Sequence, residues 1–402
     1  MTSAESTLRL VIVGDAGHGK STLIGRLLHD TRSLPDALLQ RATVPGSAAP
    51  QFDRLPEELA TATTEIVFRS ADRDYAVLDI PGHAEFLQRM LTGIPRPDAA
   101  LLVLDAAGGI GQETIARYSV LRLLGLRHIL PVANKMDRVD YSCERFAAVV
   151  TSLRRLGLEL PCAVPVSALR GDNILRLSER MPWHPGPTLL DALASIWVIR
   201  PVERLRFAVR RTSEAQGRRL LLGRVESGTL RRGQSVVLMP ARTETTVASV
   251  EVSGAARDRA GAGEEAAIAL PSPLDAPCGT IVCEPMGLPD ISPSLVCRLF
   301  WLSDEPLALG EGLDVRIATQ EVPARVRMIR ESFPASAPLG VRPQAEALAC
   351  GEIALVALSL SGLVACDPVS RENALGRVAL VRRGEVVGAG ILPDLPARPP
   401  DP

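Results

Sequence analysis

The segment Gly14-Asp15-Ala16-Gly17-His18-Gly19-Lys20-Ser21-Thr22 follows an apolar run and opens an amphipathic one, the setting in which the spacing G-x-x-x-x-G-K-S makes a phosphate cradle. Its glycines let backbone N–H groups close around phosphate oxygens, and a following helix N-terminus favours their charge. Lys20 is placed to reach the β and γ phosphates, and Ser21 to ligate Mg²⁺. Further on, Asp79-Ile80-Pro81-Gly82-His83 ends a second apolar run. There Asp79 would hold Mg²⁺ through water, the Gly82 N–H would bond the γ-phosphate, and His83 would position the attacking water. The residues expected to act in catalysis are therefore Lys20, Gly82 and His83.

Asn134-Lys135-Met136-Asp137 ends a third apolar run. The Asp137 carboxylate can accept from guanine N1–H and the exocyclic amine together, a match adenine lacks, while the Lys135 stem lies along the base. After one more run, Ser167-Ala168-Leu169 would offer a backbone N–H to guanine O6. Each motif alone is a common turn. Four in this order, each ending a predicted strand, describe a site for GTP and Mg²⁺. The third Mg²⁺ ligand should precede the second strand, where Thr61, Thr63 and Thr64 are available, and Thr63 is the choice made here.

Of the 45 basic residues only Lys20 and Lys135 are lysines. In a chain that uses arginine for generic positive charge, a retained lysine marks a place where a compact ammonium on a flexible stem is needed.

The elements that must carry these motifs alternate. Strands are expected at 8–13, 75–80, 99–104, 129–133 and 162–166, and helices at 20–29, 114–124 and 144–156, which together predict a doubly wound, mostly parallel α/β sheet. The proline-rich stretch 30–63 reads as a long loop, either functional or mobile. Beyond Pro201 helical periodicity stops and strands with glycine turns take over, at 205–210, 220–226, 235–239 and 245–252, with 353–366 as a core strand. The division expected is an α/β domain over 1–200 and two small all-β barrels over 201–284 and 285–402, the segment 392–402 being a disordered tail.

Composition limits partners and compartment. A formal net charge of -1 over 402 residues supplies no general basic surface for nucleic acid. The pairs Arg154-Arg155, Arg210-Arg211, Arg218-Arg219 and Arg231-Arg232 read as scattered, solvated turns and strand ends. Seven cysteines without a C-x-x-C pair point to reduced, mostly buried thiols, and no apolar stretch suits a membrane span, so a cytoplasmic protein is expected. His18, His29, His128 and His184 show no metal-ligand spacing, and no Ser/His/Asp or Cys/His set for covalent catalysis can be assembled.

The motifs, followed by two β units, resemble the translation-factor group of GTPases. Within that group, residues 19–28, 134–142, 167–174 and above all Met181-Pro182-Trp183-His184-Pro185-Gly186-Pro187-Thr188-Leu189-Leu190 resemble the large subunit of the bacterial heterodimeric sulfate adenylyltransferase. The resemblance implies a smaller nucleotidyltransferase partner that makes adenosine 5′-phosphosulfate from ATP and sulfate, driven by GTP hydrolysis here. The family's Arg-Gly-Ile-Thr-Ile-Asp stretch appears only as Thr61-Ala62-Thr63-Thr64-Glu65, and the first β unit drifts around 210–217. Two other readings stay open at this stage, a translation-type GTPase and a scaffold that holds GTP without hydrolysing it.

Overall fold

The computed structural model describes residues 7–34, 66–70, 73–78, 97–156, 162–198, 204–215, 218–272, 274–369 and 375–394. The first of these form a six-stranded sheet, β1 Leu8–Val13, β2 Ile66–Ser70, β3 Arg73–Leu78, β4 Ala99–Asp105, β5 His128–Asn134 and β6 Val164–Pro165, in the order β2-β3-β1-β4-β5-β6. All neighbours run parallel except the edge hairpin β2–β3. Both faces of a parallel sheet must be covered, and strand alternation divides its side chains accordingly. Leu10, Leu101, Val103 and Val132 share a core with Leu23 and Leu27 of helix α1 (Lys20–Asp30). Val11, Leu102, Leu104 and Ala133 pack instead with Leu121 and Leu123 of α2 (Gln112–Leu123) and Leu153 of α3 (Cys143–Arg155). Each fully buried Leu or Val of this kind stabilises by about 1.5–3 kcal/mol. A short helix α4, Leu189–Ala194, returns to the first face and is fixed by a capping box of Thr188 with Asp191.

The remainder is β structure. Eight strands between residues 206 and 283 form one sheet, and Val236 and Val250 from opposite halves of it share a single core, so the sheet curls on itself. In the last unit the strand Gly312–Ile317 pairs with both Arg377–Arg382 and Gln320–Pro334, which closes six strands into a barrel and leaves no free edge among them.

The units are joined by packing. Ala208, Val237, Met239, Ile281 and Cys283 point away from the second unit's own core and are buried with Leu299, Val315 and Val378 of the third. At that seam Arg206 Nε meets Asp367 Oδ2 at 2.9 Å with both side chains buried, and Arg206 also donates to the Gly287 carbonyl at 2.9 Å.

Several expectations need correction. The strand expected at 245–252 is two, Thr243–Thr246 and Ser249–Val252, because the chain changes partner between them: Val247 donates to Gln234 and Ala248 to Ala269. The strand expected at 162–166 is only β6, and 79–80 lie outside the described residues. Leu392 is buried and donates to Gly376, so the segment from 392 onward does not begin as a loose tail. The thiols are not mostly buried: Cys143, Cys278 and Cys350 are exposed. Burial does push the Cys283 and Cys366 thiols up to about 12, which keeps them protonated and inert at neutral pH.

Removing Arg206 strands a buried carboxylate. Arg206→Ala should destabilise the protein by about 3–5 kcal/mol in denaturant unfolding, whereas the double change Arg206→Met with Asp367→Leu should cost far less.

Candidate functional site

The loop 14–19 leaves β1 where the strand order reverses, the position at which open α/β sheets bind ligands. Its geometry depends on glycine at specific points. A Cβ on Gly14 would lie 2.3 Å from the Val103 carbonyl oxygen of β4, so only a bare backbone fits there. Gly17 and Gly19 hold φ of 78° and 86°, the left-handed region that glycine adopts without strain. Gly19 caps α1 without any side-chain acceptor, and the first turn carries no acidic residue. The N–H groups of that turn therefore face outward with the positive end of the helix dipole. Lys20 Nζ folds back over the loop and donates to the carbonyls of Gly14 at 2.8 Å and Asp15 at 3.1 Å.

Asn134, at the end of β5, is buried and holds three segments together. Its Nδ2 donates to the His18 carbonyl at 2.9 Å, and its Oδ1 accepts from the Ala168 N–H at 3.0 Å. A Cβ placed on Gly19 would lie 2.5 Å from Asn134 Nδ2 and 3.8 Å from Lys135 Cε, which measures how closely the motifs at 14–22, 134–137 and 167–169 converge. Lys135 sits at φ 63° and pairs its ammonium with Asp105 Oδ2 at 2.7 Å. Asp137 Oδ1 accepts from the Ser167 hydroxyl at 2.5 Å, and Oδ2 has no partner among the described residues. Arg26, buried on α1, donates to the carbonyls of Ala168 at 3.0 Å and Leu169 at 2.6 Å, so the third segment is clamped from both sides.

Gly14, Asp15, Ala16, Gly17, His18, Gly19, Lys20, Ser21 and Thr22 thus share one site with Asn134, Lys135, Asp137, Ser167, Ala168 and Leu169. Thr63, Asp79, Gly82 and His83 lie outside the described residues. The stretch 181–190 contributes support rather than a ligand group. Asn173, fully buried, donates to the Pro165 carbonyl at 3.0 Å, Trp183 donates to the Tyr141 carbonyl at 2.9 Å, and Asp172 accepts from the Tyr141 hydroxyl at 2.9 Å. Phe146, Trp183 and His184 stack behind them, so the stretch braces the loop that carries Asp137.

Two residues of the site gave no motif. Arg117 of α2 pairs with Asp15 at 2.9 Å and Glu113 at 3.0 Å and also donates to the Gly14 carbonyl, sharing that acceptor with Lys20. Asp105 ends β4 level with Asn134 on β5. The one signal that could have singled it out is an acid closing a strand in a chain whose second lysine closes the next. Burial raises the Asp105 pKa, but hydrogen bonds from Lys135 and the Ala107 N–H, with the charges of Lys135 and Arg138, outweigh it and hold the carboxyl below its usual range.

A strand–glycine loop–helix cradle facing an N-K-x-D loop, with two β units behind, defines a P-loop GTPase of the elongation-factor Tu class. Family models agree along the chain: Elongation factor Tu GTP binding domain over residues 5–197, Elongation factor Tu domain 2 over 218–273, and GTP-eEF1A C-terminal domain-like over 294–392. Sulfate adenylyltransferase subunit 1 of Yersinia enterocolitica is 30% identical over 412 residues, covering 96% of this chain and 86% of that protein. The same subunit of Citrobacter koseri is 30% identical over 413 residues with the same coverage. The chain belongs to the sulfate adenylyltransferase subunit 1 family. It is also 32% identical to the Bifunctional enzyme CysN/CysC of Rhodopirellula baltica over 412 residues, spanning 63% of that protein's length. Among solved structures, sup35 complexed with GDP superposes with a TM-score of 0.47 at 19% identity over 97% of this chain and 94% of that one.

Because the Asp105 pKa is lowered in the fold, its contribution to stability is complete above the unfolded value and is lost as pH falls through the folded one. Asp105→Asn should therefore lower the urea midpoint at pH 7, and the gap to the parent protein should close below about pH 4. Asn134→Ala leaves the His18 carbonyl and the Ala168 N–H without partners, at a cost of about 1–3 kcal/mol each. Hydrogen exchange at the Ala168 amide should accelerate accordingly.

Proposed function

We propose that the chain binds GTP with Mg²⁺ and hydrolyses it as the regulatory subunit of a sulfate adenylyltransferase, in complex with a smaller nucleotidyltransferase that joins sulfate to ATP. The observation that carries the reading is the Asn134 bridge, which sets a phosphate cradle and a guanine-type base loop at the two ends of one site. The residues fit the nucleotide: Gly17 and Gly19 turn the loop in the left-handed region, a Cβ on Gly17 would meet nothing within 4 Å, and the uncapped first turn of α1 offers N–H donors to an anion. They also fit the cation, since Ser21 on that turn offers the hydroxyl oxygen that Mg²⁺ favours and the phosphates supply others. When bound, the ion neutralises charge that develops on the phosphoryl oxygens.

Within this reading Lys20 exchanges carbonyl acceptors for phosphate oxygens, and Asp137 uses its second oxygen for the base. The roles of Thr63 and Asp79 at the metal, of Gly82 at the γ-phosphate and of His83 at the attacking water rest on motif order. The sulfate–phosphate anhydride made on the partner is a high-energy product, and coupling its formation to GTP hydrolysis lets it accumulate. The same reading divides the chain at about residues 200 and 284.

The decisive experiment is reconstitution. Combined with the small nucleotidyltransferase, the chain should make adenosine 5′-phosphosulfate formation dependent on GTP and should hydrolyse GTP in step with it. Stimulation of hydrolysis by ribosomes with no effect on sulfate adenylylation would overturn the proposal. Asp137→Asn should shift preference from GTP toward xanthosine triphosphate, read as the ratio of their dissociation constants, and an unchanged ratio would remove Asp137 from the base site. Lys20→Ala should abolish hydrolysis while leaving the thermal midpoint close to that of the parent protein.

A further inference from the structure

One of the arginine pairs that look scattered in sequence, Arg231-Arg232, is joined in the second unit by Arg257 and Arg259. Strands Thr229–Arg231 and Arg259–Gly261 pair antiparallel with Arg231 directly opposite Arg259, an arrangement in which like charges repel. Arg232 follows, its N–H bonded to the Asp258 carbonyl at 2.9 Å, and Arg257 sits across from Val250 on the neighbouring strand. All four arginines are exposed, and none makes an ion pair among the described residues. Several arginines elsewhere are matched, as in Arg117 with Asp15, Arg206 with Asp367, Arg342 with Glu352 and Arg382 with Glu311. What sets these four apart is their convergence on one surface, with Arg231 and Arg259 held face to face by strand register.

The four lie on two adjoining concavities that share Arg232 and Asp258. One, of about 850 Å³, is walled by Arg219, Arg232 and Arg257 with Leu270 and Pro271 contributing apolar surface. The other, of about 470 Å³, lies between Arg231, Arg232 and Arg259. Asp258 is the one carboxylate in either lining. Ser249, also in the larger wall, has a hydroxyl with no hydrogen-bond partner among the described residues.

We propose that this double concavity is a second anion site, separate from the nucleotide site of the first domain, which takes a phosphorylated small molecule of nucleotide size. The phosphates would lie among Arg231, Arg232, Arg257 and Arg259, and an apolar ring on Leu270 and Pro271. Guanidinium forks match phosphate oxygens bidentately, and a pocket that is part apolar with a few convergent charged groups is the form that small-ligand sites take. Its confinement to four arginines on an otherwise charge-balanced chain favours a compact ligand over a long polyanion, which would need a continuous basic track.

Calorimetric titration of the full chain, saturated with Mg²⁺ and GDP to fill the first site, tests this with ATP and pyrophosphate as probes. One-to-one binding of ATP is expected, tighter than pyrophosphate because of the apolar floor. Arg232→Ala and Arg257→Ala should each weaken it about tenfold or more. Both side chains are exposed, so thermal midpoints and GDP affinity should hold, and Arg259→Gln gives a third, milder variant. The proposal fails if neither probe gives heat, if the variants bind ATP as the parent does, or if a 20-nucleotide single-stranded RNA binds more tightly than ATP and loses affinity in the same variants.

Discussion

The proposed nucleotide site hangs on one carboxamide. Asn134 lies at the end of a central strand, and its two polar atoms hold the loop before α1 on one side and the loop after β6 on the other. Neither loop is regular structure, so each relies on partners beyond its own backbone to fix its path. An amide is the side chain that can donate in one direction and accept in the other without carrying charge. The surrounding contacts serve the same purpose: Arg26 fixes the far side of 167–169, Met136 is buried beneath the base loop, and Lys135 is anchored by Asp105. Phosphate loop and base loop are thus set at a fixed separation by packing.

Strand order and charge placement explain why these residues meet. Parallel strands put their carboxyl ends on one edge of the sheet, and four of the loops that leave that edge carry Gly19, Asp105, Asn134 and Ser167. The alternation of side chains across the sheet then fills both faces with aliphatic cores, one closed by α1 and α4 and the other by α2 and α3. The polar site forms where the apolar alternation stops.

Much of this was legible in the sequence, and the reason is local. A glycine loop between a strand and a helix dictates its own backbone, and two lysines in an arginine-dominated chain announce where an ammonium is required. The parallel strands were readable because each is a short continuous apolar run. The edge strand β2 was not, since Ile66–Ser70 follows a proline-rich stretch and buries only alternate residues. The two-strand corner at Val247–Ala248 was hidden because a change of hydrogen-bonding partner leaves the residue pattern intact. Arg117, Arg206 and Asp367 were silent for a different reason: an ion pair spanning about a hundred residues or more has no signature in spacing. The clustering of Arg231, Arg232, Arg257 and Arg259 depends in the same way on strand register.

Helix α2 belongs to two cores at once. Its Leu121 and Leu123 are buried with both the sheet of the first unit and Phe300, Ile353 and Ile391 of the third, and Ser119 donates to the Ala335 carbonyl at 2.8 Å, while Arg117 reaches the phosphate loop two residues earlier. Cutting the chain after residue 198 would bare an oily stripe on the excised fragment, so the first unit is no freestanding module.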